Sequence, residues 1–104
     1  MIAMKQTDVF PGRFLRAADL DGKTPVVTIE SSKLEVVGAG QKLVIYFVGK
    51  AKGLVVNRTN FETIAAVTGL EDTDDWPGHK IKLITTIVDY QGRRVLAIRV
   101  AEAG

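Results

Sequence analysis

Lys42, Lys50, Lys52 and Arg58 fall in one stretch, residues 41–58, that contains no acid. Lys80, Lys82, Arg93, Arg94 and Arg99 fall in a second, residues 76–100, against Asp89 alone. Each stretch has a balance of +4, while residues 59–75 between them hold five acids and no base. The net charge of +2 over 104 residues therefore conceals strong segregation, and segregated charge shapes a local field. Cations gathered on one surface neutralise phosphates and release their counterions. Tyr46, Phe47, Trp76 and Tyr90 add aromatic faces of the kind on which unpaired bases stack.

Each of these residues also has a plainer reading. Lysines on strands keep sheet edges from associating. Tyr46 and Phe47 are adjacent on a strand and face opposite ways; Tyr46, with its polar tip, is the one expected outside. Trp76, beside Pro77-Gly78, reads as a packing anchor over one end of the core. Tyr90 reads equally as stacking platform or rim packing. Arg99 either lies inside a barrel mouth or pairs with an acid such as Asp89.

Other chemistries find little support. The chain has no cysteine and a single histidine, His79, read as an exposed turn residue. Thiolate catalysis and multi-histidine metal sites are excluded. Glu71, Asp72, Asp74 and Asp75 lack the glycine and distal glutamate of a calcium loop and read as a solvated turn. Gly38-Ala39-Gly40 is too short for a dinucleotide loop and opens no helix. The expectation is a protein that is not an enzyme, with no metal and no cofactor. The first residues lack the apolar core of a signal peptide. The longest apolar run, Leu43 to Val48, is far shorter than the roughly 20 residues that span a bilayer. A cytoplasmic location with no membrane partner is expected.

The elements that must position the cations are legible in the periodicity. At 46% apolar and 25% charged, the composition is that of one globular domain. Residues 1–22 read as an arm that packs Phe14 and Leu15 onto a domain spanning 23–101. Residues 24–37 read as a long strand whose apolar alternation changes phase at Ser31-Ser32; a β-bulge there puts Val27, Ile29, Leu34 and Val36 on one face. Leu43–Val48 is a strand apolar on both faces, hence central or covered twice, and Leu54–Val56 is a short strand. Thr59 with Glu62 forms a capping box that opens a helix, Phe61, Ile64, Ala65 and Thr68 form its buried stripe, and Gly69 closes it. Asn57 and Asn60 cap the strand-to-helix junction. Trp76-Pro77-Gly78-His79 is a turn with proline second and glycine third. Residues 80–90 and 95–100 are strands joined through Gln91-Gly92.

Three strands, a helix and two strands is the order of the OB-fold. The expected class is mainly β, a five-stranded OB-like Greek-key barrel with one helix between strands 3 and 4. Such barrels bind oligonucleotides on strands 2 and 3 and on the loops joining strands 1–2 and 4–5, which here contain Lys42, Lys50, Lys52, Arg93 and Arg94. The candidate nucleic-acid-binding set is Lys42, Tyr46, Lys50, Lys52, Arg58, Lys80, Lys82, Tyr90, Arg93 and Arg94. The expected partner is single-stranded DNA, bound with little regard to sequence. The alternative is a protein-interaction or virion-assembly module, in which the strand Leu43–Val48 supplies the interface of a homo-oligomer.

Three segments carry a resemblance: Tyr46 to Asn60 (YFVGKAKGLVVNRTN), Asp72 to Gly78 (DTDDWPG) and Ala97 to Val100 (AIRV). Together they resemble a family of small bacteriophage and prophage proteins, some described as single-stranded-DNA-binding-like. The resemblance covers roughly residues 14–100 and implies a role in phage replication or recombination. The chain departs from that pattern at His79, where a lysine or arginine is usual, and at Gln91-Gly92-Arg93-Arg94, where a glycine pair and a lysine are common.

Overall fold

One strand changes partner midway, and the architecture follows from it. The computed structural model describes residues 14–103; the remainder of the expected arm, residues 1–13, lies outside the described residues. The strands are β1 (Val26–Val37), β2 (Gly40–Phe47), β3 (Leu54–Val56), β4 (Lys80–Tyr90) and β5 (Arg93–Glu102). The helix α1 (Arg58–Thr68) follows β3. All five strands form one antiparallel sheet in the order β3-β2-β1-β4-β5. The fold is mainly β with one helix between the third and fourth strands, as the periodicity implies. The sheet is open: among the described residues no ladder joins β3 to β5. No described helix is long and apolar enough to cross a membrane.

β1 pairs with β4 through Val26–Thr28 and with β2 from Ile29 to Val37. The register slips between Ile29 and Ser31, so Glu30 is the bulged residue, one position before the serines. The slip returns Ser32, Leu34 and Val36 to the side of Val27 and Ile29, because side chains alternate and one extra residue inverts the alternation. At the slip, Ile29 N donates to the His79 carbonyl at 2.9 Å and the Ile29 carbonyl accepts from Gly78 N at 2.8 Å. The turn before β4 is thereby locked onto the bend. Gly78 has φ 93° and His79 N donates to the Trp76 carbonyl, the geometry expected of proline and glycine in those positions.

The core lies on the side of the sheet that carries Val27, Ile29, Ile45, Phe47, Leu54, Ile81, Leu83, Ile98 and Val100, with Ile64 of α1 and Trp76 closing it. Trp76 is fully buried, 5.1 Å from Phe61, and its Nε1 donates to the Leu70 carbonyl at 2.9 Å. The packing reading of Trp76 is the one this geometry fits. β2 is an interior strand, with Val44 and Ile45 fully buried on opposite faces, while Val48 at the end of the apolar run is 55% exposed.

Two local expectations shift. The helix begins two residues earlier than a Thr59 cap requires: Asn57 is the N-cap and its Oδ1 accepts from Asn60 N at 2.8 Å. Asparagine in extended backbone competes well for that role, and Glu62 pairs instead with Arg58. Gly69, with φ 75°, ends the helix as expected, its N–H donating to the Ala65 carbonyl. The second shift is in length: β5 begins at Arg93, not residue 95, because Gln91 and Gly92 both have positive φ and form the two-residue turn that suits strand twist.

Residues 14–17 occupy the seam between β3 and β5. Phe14 bridges to Gly53, and Leu15 N donates to the Gly53 carbonyl at 2.7 Å. Asn60 Nδ2 crosses from α1 to the Ile98 carbonyl at 3.0 Å. Leu20, from the 3-10 turn Ala17–Leu20, is buried in the core. This part of the arm is integral to the domain.

Candidate nucleic-acid interface

The registers decide which cations share a surface. In the β4–β5 ladder, Lys82 faces Ala101, Ile84 faces Arg99 and Tyr90 faces Arg93. Alternation therefore places Lys80, Lys82 and Tyr90 of β4, with Arg93 and Arg99 of β5, on the face turned away from the core. Val26 and Thr28 extend this face onto β1, opposite Lys82 and Lys80. The outer face of the β4–β5 ladder carries no acid, because Asp89 and Glu102 have the opposite parity. Tyr90 is 61% exposed beside Arg93 at the tip. Arg99 turns its Nη1 back onto the Ile98 carbonyl at 3.1 Å and lines a cleft of about 160 Å³ at the seam with Asn57 and Asn60. Asn60 is buried, and its Oδ1 has no hydrogen-bond partner among the described residues.

Lys42 and Tyr46 share the outer face of the β1–β2 ladder with Lys33. Lys42 stands directly opposite Glu35. Tyr46 is half-buried: its hydroxyl donates to Glu35, Lys33 Nζ lies 5.9 Å above its ring, and the ring packs over Gly53. Tyr46 is the outward member of the Tyr46–Phe47 pair, as alternation requires, but it is a packed residue.

Lys50 and Lys52 border a cleft of about 330 Å³ floored by Leu20, Val27, Phe47 and Leu83. Lys52 Nζ is 3.1 Å from Asp19. The backbone amide of Arg16, donating at 2.8 Å, holds the Asp19 carboxyl below its usual value of 3.8; desolvation opposes this, and the Lys52 ammonium adds to the lowering. Arg58 is the first residue of α1, with Nε 3.3 Å from Glu62 on an exposed surface, where a pair contributes little. Arg94 faces Asp89 on the core-side face of β5, back to back with Arg93.

The expected set is therefore divided. Lys80, Lys82, Tyr90 and Arg93 come together; Lys42 and Tyr46 form a second group, Lys50 and Lys52 a third, and Arg58 and Arg94 stand apart. The tips 37–40 and 90–93 leave β1 from opposite ends, since β4 runs antiparallel to β1 from its first residues. Two residues outside the expected set belong to these faces, Arg99 and Lys33. A two-residue turn at Gln91-Gly92 fixes the pairing of Ile84 with Arg99, so the signal for Arg99 was present in the turn. Among the described residues no group of three or more acids, histidines or cysteines is placed to hold a metal ion. No protein-family model, curated protein or solved structure matches this chain.

Proposed function

We propose that the chain binds single-stranded DNA, without strong sequence preference, along the outer face of β4–β5. The observation that carries this reading is the acid-free row of Lys80, Lys82, Arg99 and Arg93 ending at the exposed Tyr90 ring. Eleven residues of β4 at about 3.3 Å each give a track of roughly 36 Å, long enough for several nucleotides of an extended strand. The cations neutralise phosphates and Tyr90 stacks a base. Lys42 with Lys33, and Lys50 at its cleft, are secondary contacts.

The strand order supports an OB-like interpretation: the open sheet β3-β2-β1-β4-β5 has the neighbour order that such a barrel would have if parted between β3 and β5, where residues 14–17 lie. The resemblance to phage proteins fits a role in replication or recombination in a host cytoplasm. The test is anisotropy of a labelled oligothymidylate titrated at about 20 mM salt and again at about 200 mM. Binding that weakens steeply with salt is expected; no binding at the lower salt overturns the reading.

A second reading, a protein-interaction or virion-assembly module, is favoured by the apolar side chains exposed at both hairpin tips: Leu34 and Val36 on one, Ile87 and Leu96 on the other. A pulldown that recovers a structural protein of the same phage, with no DNA binding, would favour it.

A further inference from the structure

The cleft at the seam between β3 and β5 contains a hydrogen-bond acceptor that the described chain does not use. The Ile98 carbonyl of the edge strand β5 accepts from Asn60 Nδ2 at 3.0 Å and from Arg99 Nη1 at 3.1 Å. A carbonyl can only accept, so this bond orients the Asn60 amide and the atom left over is its oxygen. Asn60 is 2% exposed, and its Oδ1 has no hydrogen-bond partner among the described residues. Buried acceptors are nearly always satisfied, so an open one on a residue of a cleft wall calls for a ligand that donates. Arg16 and Arg99 bring two guanidinium groups to the same lining, between apolar walls that include Leu54 and Ala97. The volume of about 160 Å³ is room for roughly ten waters, enough for a flat heterocycle.

We infer that this cleft receives one base of the bound strand, with guanine preferred, an inference that rests on the outer β4–β5 face being a track for single-stranded DNA. Arg99 belongs to both, so a strand that follows that face passes the cleft. Unpaired bases are read on their Watson–Crick and Hoogsteen edges. Adenine is read by both groups of an asparagine amide, and here Nδ2 is committed to Ile98. Guanine presents N1–H and N2–H donors beside the O6 and N7 acceptors that an arginine fork takes together. Asn60 and Arg99 meet at a single carbonyl oxygen, so an acceptor and a fork of donors stand within the reach of one base. Asn60 Oδ1 accepts from the N1–H or N2–H group, and the remaining Arg99 donors bond O6 and N7. Arg16 meets the phosphate of the same nucleotide. Thymine has one ring N–H and no N7, so it satisfies fewer of these groups. The preference concerns one position of a strand otherwise held through its phosphates.

The test titrates the whole chain with labelled oligothymidylates, one unmodified and the others carrying guanine, 7-deazaguanine or 1-methylguanine at one central position. A single guanine should raise the affinity about tenfold. 7-Deazaguanine, which lacks N7, should keep part of that gain, and 1-methylguanine, whose methyl blocks the donor edge, none of it. Arg99→Lys cannot fork onto O6 and N7, so its ratio of guanine-strand to thymine-strand affinity should fall to about one, whatever its overall affinity; circular dichroism checks that it folds. Deoxyguanosine monophosphate at about 1 mM, followed by amide NMR shifts of residues 57–60 and 97–99, tests the cleft apart from the track. Equal affinity for the guanine and thymine strands, a gain that survives 1-methylguanine, or a ratio unchanged in Arg99→Lys overturns the inference and leaves the track standing. If no strand binds, the track falls: shifts of those amides by the nucleotide then still support the cleft, and their absence overturns it as well.

Discussion

Gly53 is where a single added methyl most directly tests the packing that removes Tyr46 from the solvent. A Cβ built at this position would stand 2.8 Å from Tyr46 Cε1, 2.8 Å from Val44 Cγ1 and 3.1 Å from the Ile45 carbonyl oxygen. Carbon atoms in ordinary contact sit about 3.5–4.0 Å apart, so the first two contacts are short by more than half an ångström. Val44 is fully buried and cannot retreat; the carbonyl belongs to the β2 backbone. Tyr46 can only swing outward, and doing so breaks its hydrogen bond to Glu35 and its contact with Lys33. If the backbone moves instead, it disturbs the Leu15–Gly53 hydrogen bond at the seam. Overpacking of this kind places the cost of Gly53→Ala at about 2 kcal/mol, a fall in Tm of roughly 10 °C for a domain of this size. Urea titration should show a lower midpoint with an unchanged slope. Val44→Ala removes one of the blocking atoms, so the double variant should be less destabilised than the sum of the singles by at least about 0.5 kcal/mol. A Gly53→Ala protein within about 0.5 kcal/mol of the wild type would refute the packing of Tyr46 over this glycine.

The remaining predictions concern the interface and the arm. With four cations on the β4–β5 outer face, the logarithm of the single-strand affinity should fall with the logarithm of salt at a slope of about −2.8. Replacing Lys80, Lys82 and Arg93 together by alanine should reduce that slope to about −0.7, measured by anisotropy titration; an unchanged slope places the contacts elsewhere. Tyr90→Ala should weaken binding by about 1–3 kcal/mol, whereas Tyr46→Ala should lower Tm and leave affinity unchanged; the reverse pattern, read in paired titrations and melts, would move the stacking site to β2. Asp19→Ala should destabilise the protein at neutral pH. Because the native Asp19 carboxyl is held below 3.8, its contribution is present above that value and is lost as pH falls through the lowered native one. Urea titrations from pH 7 to about pH 3 should show the gap between variant and wild type narrowing; a constant gap refutes the ionic part of this contact.

The strands and the helix were legible in the sequence because they are local. Alternation and phase change marked β1 and its bulge, glycines and Pro77 marked the turns, and Gly69 marked the end of α1. Those signals depend on residues within a few positions of one another, and the backbone answers to them directly. Alternation likewise separated Tyr46 from Phe47. The surface the cations form is not local. Charge counted along the chain treated residues 41–58 as free of acid, yet Glu35 stands across from Lys42 and Asp19 meets Lys52 from 33 residues away. Arg93 and Arg94 are neighbours in sequence and back to back in the sheet. Only the point at which β1 exchanges β4 for β2 sends the two tips away from opposite ends of one strand. That exchange depends on hydrogen bonds between Ile29 and a turn 50 residues away, which no pattern along the chain encodes.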